Sequence, residues 1–197
     1  MTLSDYPLEQ LTFDCDEYTV FDFETTGLSP WTGDEVVEIG AMKIVSGILD
    51  DKKIFHTLVN PKKQLSTEVT KIHGITNEML CDAPIIDHVL HDFLSFIGDS
   101  WLVAQNAKFD MAFLMKYLAR FQIQKKFEVY DTIALSKRMF PQEAGHNLDR
   151  IAKRLNLKVI QEERHRSLGD VKITAQAFLM MKKHLGSRLP DREKWPL

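Results

Sequence analysis

Hydrophobic residues in the first sixty positions follow patterns that predict three β-strands joined by short links. Tyr18–Phe23 is β-branched and aromatic, and two further strand-like segments, Val36–Val45 and Lys53–Asn60, lie on either side of a turn at Ser46-Gly47. The segment Gly27–Asp34 contains two glycines and a proline, which indicate a loop. Three successive strands with short connections favour an antiparallel meander.

The remainder of the chain alternates between helical and strand periodicity. Two short apolar segments, Trp101–Ala104 and Phe127–Tyr130, predict the fourth and fifth strands. Apolar residues at helical spacing predict helices at 66–74, 85–97, 106–121, 132–139, 147–155 and 168–185. This order predicts one α/β domain, with helices packed on a mixed five-stranded sheet. The chain then divides into an N-terminal arm at 1–17, a domain at 18–186 and a C-terminal tail at 187–197.

The composition is typical of an ordered globular protein, with 44% hydrophobic and 27% charged residues among 197. No apolar run approaches the roughly 18 residues that a membrane helix needs, and the acidic N-terminus lacks the features of a signal peptide. Cys15 and Cys81 fit no metal-binding or redox spacing, so both are interpreted as structural. These observations predict a cytoplasmic protein with no membrane partner.

The net charge of −3 argues against a protein that coats nucleic acid through a strongly basic face. Divalent cations held by acidic side chains would nevertheless make a local site far more positive than the sequence total. An acidic chain of this kind can therefore still bind a phosphate-bearing substrate, provided that its carboxylates hold metal ions.

Asp22 and Glu24 lie two positions apart at the end of the first predicted strand. Side chains at that spacing share one face of a strand, so both carboxylates point into one site while Phe21 and Phe23 point into the core. Two adjacent carboxylates repel each other unless a cation neutralises them, which indicates a divalent metal. An exposed strand end without a ligand is the alternative interpretation of this motif.

Two other acidic motifs lie at the starts of predicted helices. Asn106 and Asp110 are four residues apart on one helix face, and the neighbours of Asp110 are apolar, so an unpaired carboxylate there would be costly to bury. His165 precedes Asp170 by five residues, where a polar segment meets the last helix. Asn106 also suits a helix N-cap, and Ser167 with Asp170 is similar to a capping box, so a structural role is the alternative for each motif.

Taken together, these motifs resemble the DEDDh family of 3′→5′ exonucleases. The matching segments extend over most of the chain and comprise Phe21–Leu28, Glu38–Ala41, Ile72–Thr76, Asn106–Asp110 and His165–Asp170. The resemblance implies an RNase H-like fold and the hydrolysis of terminal phosphodiester bonds, which releases nucleoside 5′-monophosphates. It also implies two Mg²⁺ or Mn²⁺ ions as cofactors and nucleic-acid 3′ ends, single-stranded or frayed, as the substrate.

The resemblance also assigns roles to individual residues. The family's metal-binding carboxylates correspond to Asp22, Glu24, Asp110 and Asp170. Its general base corresponds to His165. Contacts with the substrate are expected from Thr25, Glu68, His73 and Asn106.

Three positions stand apart from this assignment. Glu38 belongs to the family's strand pattern but not to its metal ligands, so it is interpreted as structural. Gln105 stands where the family commonly has histidine, and a glutamine cannot titrate. Ser167 stands where the family commonly has alanine, and it should cap the last helix better.

The resemblance favours DNA over RNA as the substrate, although enzymes for both share these motifs, and it leaves association with a DNA polymerase open. The alternatives to an exonuclease are a catalytically weak nucleic-acid-binding scaffold, a ribonuclease of the same fold and an endonuclease of the same fold.

Overall fold

The structure of the protein, a computed structural model, describes residues 17–196 and has a six-stranded sheet at its centre. The strands are β1 (Glu17–Thr25), β2 (Val36–Val45), β3 (Ile48–Leu58), β4 (Trp101–Ala104), β5 (Phe127–Asp131) and β6 (Glu193–Trp195). Their order across the sheet is β3-β2-β1-β4-β5-β6. Cys15 and nearly all of the predicted N-terminal arm lie outside the described residues.

Seven α-helices occur in this part of the chain. They are α1 (Thr67–His73), α2 (Asn77–Leu80), α3 (Ile86–Ile97), α4 (Ala107–Arg120), α5 (Thr132–Met139), α6 (Leu148–Arg154) and α7 (Ser167–Leu185). The sequence did not predict α2, because four residues are too few to show a helical period. None of these helices combines the length and the apolar character needed to cross a membrane.

The sheet is mixed, as predicted. Strand β1 pairs antiparallel with β2, and β2 pairs antiparallel with β3, so the predicted meander is confirmed. Strands β4 and β5 join on the other side of β1 and run parallel to it. Parallel strands need a crossover connection, which α1 to α3 and then α4 provide.

The prediction of five strands is wrong by one, because β6 lies within the segment predicted as a tail. It pairs antiparallel with β5 along three residues, between Phe127 and Trp195 at one end and Val129 and Glu193 at the other. Arg192 beside it stacks on the Trp101 ring at 3.7 Å from the ring centre. Such a short strand has too little alternation to be recognised in sequence, and its pairing depends on contacts with distant residues.

Helices cover both faces of the sheet, and alternate side chains of β1 point to opposite faces. Phe21 and Phe23 pack with α3 and α4 in one core, whereas Tyr18 and Val20 pack with α5, α6 and α7 in the other. Asp22 and Glu24 therefore lie on the α7 side of the sheet, beyond Val20. The alternation that the sequence showed at Phe21 and Phe23 is confirmed by this packing.

The first turn of α7 lies directly over Gly40 of β2, the residue opposite Asp22 in the strand register. A Cβ atom at Gly40 would come within 2.7 Å of the backbone at Ser167 and Leu168. Gly169 permits a different close approach, between α7 and the segment that precedes it, since a Cβ there would lie 1.9 Å from the Glu163 carbonyl oxygen. The missing side chain at Gly40 thus permits the approach that brings α7 to the end of β1.

We expect Gly40→Ala to lower the free energy of unfolding by about 1–3 kcal/mol, because the new methyl group must displace backbone atoms of α7. Gly47→Asn in the β2–β3 turn is the matched control. No described atom lies within 4 Å of its Cβ position, and asparagine tolerates the left-handed conformation found there, so its cost should be about 1 kcal/mol or less. Urea denaturation measures both values, and an unaltered midpoint for Gly40→Ala would contradict the close packing.

Candidate active site

Three carboxylates meet where β1 ends and α7 begins. Asp22, Glu24 and Asp170 each offer one oxygen, and these oxygens all lie within 4.8 Å of one another. Asp22 and Glu24 come to this point because they share a strand face, and Asp170 because it lies in the first turn of the helix that crosses Gly40. The structure therefore brings together three of the four carboxylates that the sequence singled out.

Asp110, the fourth carboxylate, lies beside this group in the first turn of α4. It is 2% exposed, and its Oδ1 accepts a hydrogen bond of 3.0 Å from the backbone N–H of Phe23, between Asp22 and Glu24. That bond ties the start of α4 to the strand that carries two of the acids. Asp110 is thus held next to the three converging carboxylates from the opposite side of β1.

Burial raises the pKa of all four acids, and repulsion from neighbouring carboxylates of the cluster adds to it at Asp22 and Glu24. Burial, followed by repulsion from Asp110, Glu24 and Asp170, raises the pKa of Asp22 well above its ordinary value. Burial and the charge of Asp170 raise the pKa of Glu24 to about 9, and burial raises the pKa of Asp110 to about 8. Burial also raises the pKa of Asp170, although the Arg164 guanidinium acts in the opposite direction. Without a compensating cation, the fold therefore favours protonated acids in this cluster.

The donor set suits a hard divalent cation. Mg²⁺ and Mn²⁺ prefer carboxylate oxygens, and a cation between the acids would remove the repulsion that raises their pKa values. Converging oxygens from Asp22, Glu24 and Asp170, with Asp110 adjacent, fit such an ion. The chemistry available to this arrangement is the binding and polarisation of a phosphate group.

His165 lies in the loop that leads into α7, with an exposed side chain and a backbone φ of 58°. A positive φ is uncommon for a residue other than glycine and must be held by its surroundings. Arg164, just before it, forms an ion pair with Asp170 and donates to Asp149 at 2.9 Å. His165 itself acts on Asp170 through its charge and through a backbone hydrogen bond, both of which lower the pKa of that acid.

The residues expected to meet the substrate lie at different depths. Thr25 is buried at the end of β1, and its hydroxyl donates to the Gly27 carbonyl at 2.7 Å. His73 is 4% exposed, and its Nδ1 accepts from the Ile75 N–H at 3.0 Å, which leaves the proton on Nε2. Burial lowers the pKa of His73, and the nearby Thr25 backbone acts in the opposite direction, so the two residues are neighbours. Glu68, one helical turn earlier, is exposed on α1.

Asn106 lies at the N-cap position of α4, as predicted, but its side chain does not cap the helix. Asn106 adopts a left-handed conformation, with a φ of 61°, and makes no side-chain capping bond. Its backbone N–H instead donates to Oδ1 of Asp131 at 3.1 Å, and the same oxygen accepts from Ile133 at the start of α5. The side chain of Asn106 is exposed, while Asp131, which the sequence did not single out, fixes its backbone.

Gln105 uses both ends of its amide within the protein. Its Oε1 accepts from the Thr132 hydroxyl at 2.5 Å, and its Nε2 donates to the carbonyl of His146 at 2.9 Å. Gln105 thereby links β4 to α5 and to the loop before α6. A neutral side chain with one donor and one acceptor satisfies both neighbours, so this position contributes structure without a titrating group.

Ser167 does not cap α7 as predicted, because it is the first residue of the helix itself. Its hydroxyl is fully buried and has no hydrogen-bond partner among the described residues. The helix N-cap position is occupied by Arg166, which makes no side-chain capping bond. The buried oxygen of Ser167 fills the space over Gly40 rather than satisfying an N–H group.

Glu38 is fully buried and lies opposite Glu24 in the strand register. It accepts hydrogen bonds from the Arg166 guanidinium, from the Ser167 N–H at 2.9 Å and from His56 at 2.9 Å. Burial raises its pKa, but these three partners outweigh burial and lower the pKa to about 2. The sequence offered one signal for this anchor, a glutamate inside the otherwise apolar strand β2.

Without metal, we expect the free energy of unfolding to fall as the pH rises from about 5 to about 9. The raised pKa values of Glu24 and Asp110 mean that the folded protein holds protons that the unfolded chain has released, so stability is lost with increasing pH. Thermal unfolding in EDTA measures this slope. Added Mn²⁺ should raise the melting temperature more at pH 8 than at pH 6.

The double variant Asp22→Asn/Glu24→Gln should show a shallower slope in EDTA and a smaller response to Mn²⁺, because it lacks two of the titrating groups. If the free energy of unfolding depended on pH equally in the variant and in the unaltered chain, the raised pKa values of the clustered acids would be contradicted.

Comparisons with known proteins agree with this geometry. The sequence profile of the family described as Exonuclease matches residues 19–178. The chain is 42% identical over 188 residues to the DNA polymerase III subunit epsilon-like protein of Rhodobacter capsulatus, covering 94% of this chain and 26% of that protein. It is 36% identical over 167 residues to DNA polymerase III subunit epsilon of Rickettsia prowazekii, covering 82% of this chain and 72% of that protein.

Among solved structures, Exonuclease X in complex with 5′ overhanging duplex DNA has a similar fold. Its TM-score is 0.70 at 27% sequence identity, and the match covers 86% of this chain and 93% of that one. The chain spans about a quarter of the length of the Rhodobacter capsulatus relative. The family profile nevertheless covers most of the chain, including the strand and helix starts that carry the four acids. The chain therefore belongs to the exonuclease family, as its resemblance to the DEDDh exonucleases predicted.

Proposed function

We propose that this chain is a 3′→5′ exonuclease that hydrolyses the terminal phosphodiester bond of DNA and releases nucleoside 5′-monophosphates. The observation that carries the proposal is the convergence of Asp22, Glu24 and Asp170, with Asp110 beside them. Four buried acids with raised pKa values are unfavourable in the fold alone, but they suit a site that binds cations and phosphate. Membership of the exonuclease family supports the same reaction.

In this proposal, Asp22, Glu24, Asp110 and Asp170 hold two Mg²⁺ or Mn²⁺ ions. When bound, the ions would supply a nucleophile of lowered pKa and stabilise the charge that develops on the leaving 3′ oxygen. The carboxylates contribute through their fixed positions, since the hydrogen bond from Phe23 and the close packing on Gly40 set two of them before any substrate arrives.

His165 acts as the general base of the proposed reaction and accepts the proton of the attacking water. Its exposed position beside Asp170 leaves its ring free to reach a substrate phosphate. Thr25 and His73 form the floor under the terminal nucleotide, because both are buried and adjacent. Glu68 and Asn106, both exposed, contact the nucleotide from the rim.

DNA is the proposed substrate, and a DNA polymerase is the proposed partner. Two relatives carry the names of DNA polymerase III epsilon subunits, and the solved Exonuclease X complex contains DNA. A cytoplasmic location follows for a chain that would work with a replication polymerase. A scaffold without activity, a ribonuclease and an endonuclease are the alternatives that the experiment must separate.

The test is digestion of a 5′-labelled single strand in Mg²⁺, compared between DNA and RNA of the same sequence. We expect a ladder that shortens one nucleotide at a time from the 3′ end, with DNA degraded faster. A 3′-phosphate should block the reaction, and a circular single strand should persist. Asp22→Asn, which keeps the side-chain shape but removes the charge, should abolish the ladder.

Other outcomes would overturn this proposal in distinguishable ways. Cutting of the circular strand indicates an endonuclease, and preferential loss of RNA indicates a ribonuclease. Binding without degradation indicates a scaffold. Near-normal turnover by Asp22→Asn would remove the acidic cluster from the reaction.

We expect His165→Ala to slow turnover by roughly a hundredfold, the usual scale for loss of a general base. A histidine must be neutral to accept a proton. Activity of the unaltered chain should therefore rise with pH on the acid side of its profile, and the rise should be lost in the variant. Rates in saturating Mg²⁺ from about pH 5.5 to 9 measure this dependence.

His184→Ala, which removes an exposed histidine near the far end of α7, is the matched control and should keep the unaltered profile. If His165→Ala kept both the rate and the rise at low pH, His165 would have no part in proton transfer.

A further inference from the structure

The buried carboxylate of Glu38 accepts hydrogen bonds from His56, Arg166 and Ser167, although an apolar residue would fill the same place in β2 without burying a charge. Its carboxylate has no exposed surface, yet it is shared by three donors from two parts of the chain: His56 on β3, and the Arg166 side chain and Ser167 backbone N–H at the start of α7. Burying an ion pair usually gives little net stability compared with apolar residues of the same size. The arrangement therefore points to a function in fixing positions.

The positions that Glu38 fixes are those of residues 166 and 167. Arg166 approaches the carboxylate with Nε at 3.1 Å from Oε1 and with Nη2 on the same oxygen, which sets the direction of the guanidinium plane. The Ser167 N–H donates to the other oxygen, Oε2, at 2.9 Å. Two consecutive residues are thus bound to one side chain of β2, immediately before α7 turns over Gly40.

The attachment of Arg166 and Ser167 to Glu38 lies between the acidic cluster and His165. Glu38 is opposite Glu24 in the strand register, so the anchor has a fixed distance from the acidic cluster. His165 precedes Arg166 directly, and its left-handed backbone is a conformation that a non-glycine residue keeps only where its neighbours hold it. The Arg166 carbonyl also accepts the N–H of Asp170 at 3.0 Å, which continues the same segment into the helix.

We propose that the Glu38–Arg166 ion pair positions His165 over the acidic cluster, so that Arg166 acts on catalysis through His165 and touches no substrate. This inference rests on the proposed exonuclease function. A direct contact between Arg166 and a substrate phosphate is the rival explanation, since about a third of the Arg166 side chain is exposed. Positioning and phosphate binding have different kinetic consequences, because only the second contributes to substrate affinity.

The test is a set of variant cycles on the full chain, with 5′-labelled single-stranded DNA and saturating Mg²⁺. Arg166→Met and Glu38→Gln should each lower kcat by at least about tenfold, because small misplacements of a catalytic group are costly, while KM stays within about twofold. In the His165→Ala background, the same substitutions should change kcat by less than about twofold, since the residue that they position is gone. Arg166→Lys, which keeps the charge but loses the planar contact, should recover part of the rate.

Arg120→Met is the matched control. It removes an arginine–carboxylate pair with Asp87, between α3 and α4 at the end of α4 away from Asp110, and should leave kcat unaltered. Arg166→Met keeps the test available if Glu38→Gln does not fold, because Arg166 is partly exposed. A reduced folded fraction would lower kcat equally in both His165 backgrounds, so it cannot imitate the expected non-additivity.

Amide hydrogen exchange in metal-free protein gives a readout that does not depend on activity. Exchange over residues 164–170 should increase in Arg166→Met and Glu38→Gln but not in Arg120→Met. Equal losses of kcat in both His165 backgrounds would overturn the inference, as would a raised KM with weaker salt dependence, which indicates phosphate contact. If the unsubstituted chain degrades no substrate, the proposed function fails. The positioning role is tested separately, and it would be overturned if hydrogen exchange over residues 164–170 were the same in the variants as in the unsubstituted chain.

Discussion

Repulsion between carboxylates at the end of β1 is the constraint on which the site depends. The carboxylates of Asp22 and Glu24 lie close together because they share one face of one strand. Helix α7 places the carboxylate of Asp170 beside them. Burial makes this repulsion stronger by excluding the water that would screen it. The same property that makes the cluster unfavourable alone suits it to a divalent cation, so the proposed function would depend on a site that lowers the stability of the metal-free fold.

Glu24 and Glu38 show how partners decide the charge of a buried acid. The two residues are directly opposite each other on neighbouring strands, yet the pKa of Glu24 is raised to about 9 and that of Glu38 is lowered to about 2. Burial acts in the same direction on both. The difference comes from Arg166, His56 and the Ser167 N–H, which bond to Glu38, whereas Glu24 has acids as its closest charged neighbours. Glu38 thus stays charged and fixes the residues bonded to it, whereas Glu24 favours its protonated form unless a cation is bound.

Polar groups around the acidic cluster form hydrogen bonds within the protein, and these bonds limit how far the acids can move. Asp110 is held by the Phe23 N–H, Asp131 fixes the backbone of Asn106, and Gln105 joins three segments through its amide. These contacts attach helix starts and a loop to the strands that border the site. Such preorganisation is what electrostatic catalysis requires, since groups that are already oriented need no rearrangement during the reaction.

The sequence by itself determined the mixed α/β fold, the succession of strands β1 to β5 along the chain and the candidate residues of the site. Hydrophobic periodicity and the spacing of Asp22 and Glu24 are local properties, so they can be recognised along the chain. Tertiary structure decided the rest: that β6 completes the sheet, that the side chains of Asn106 and Ser167 make no capping bonds, and that Glu38 binds Arg166. These outcomes depend on residues up to 128 positions apart in sequence, which become neighbours once the helices pack on the sheet, and no local pattern encodes such contacts.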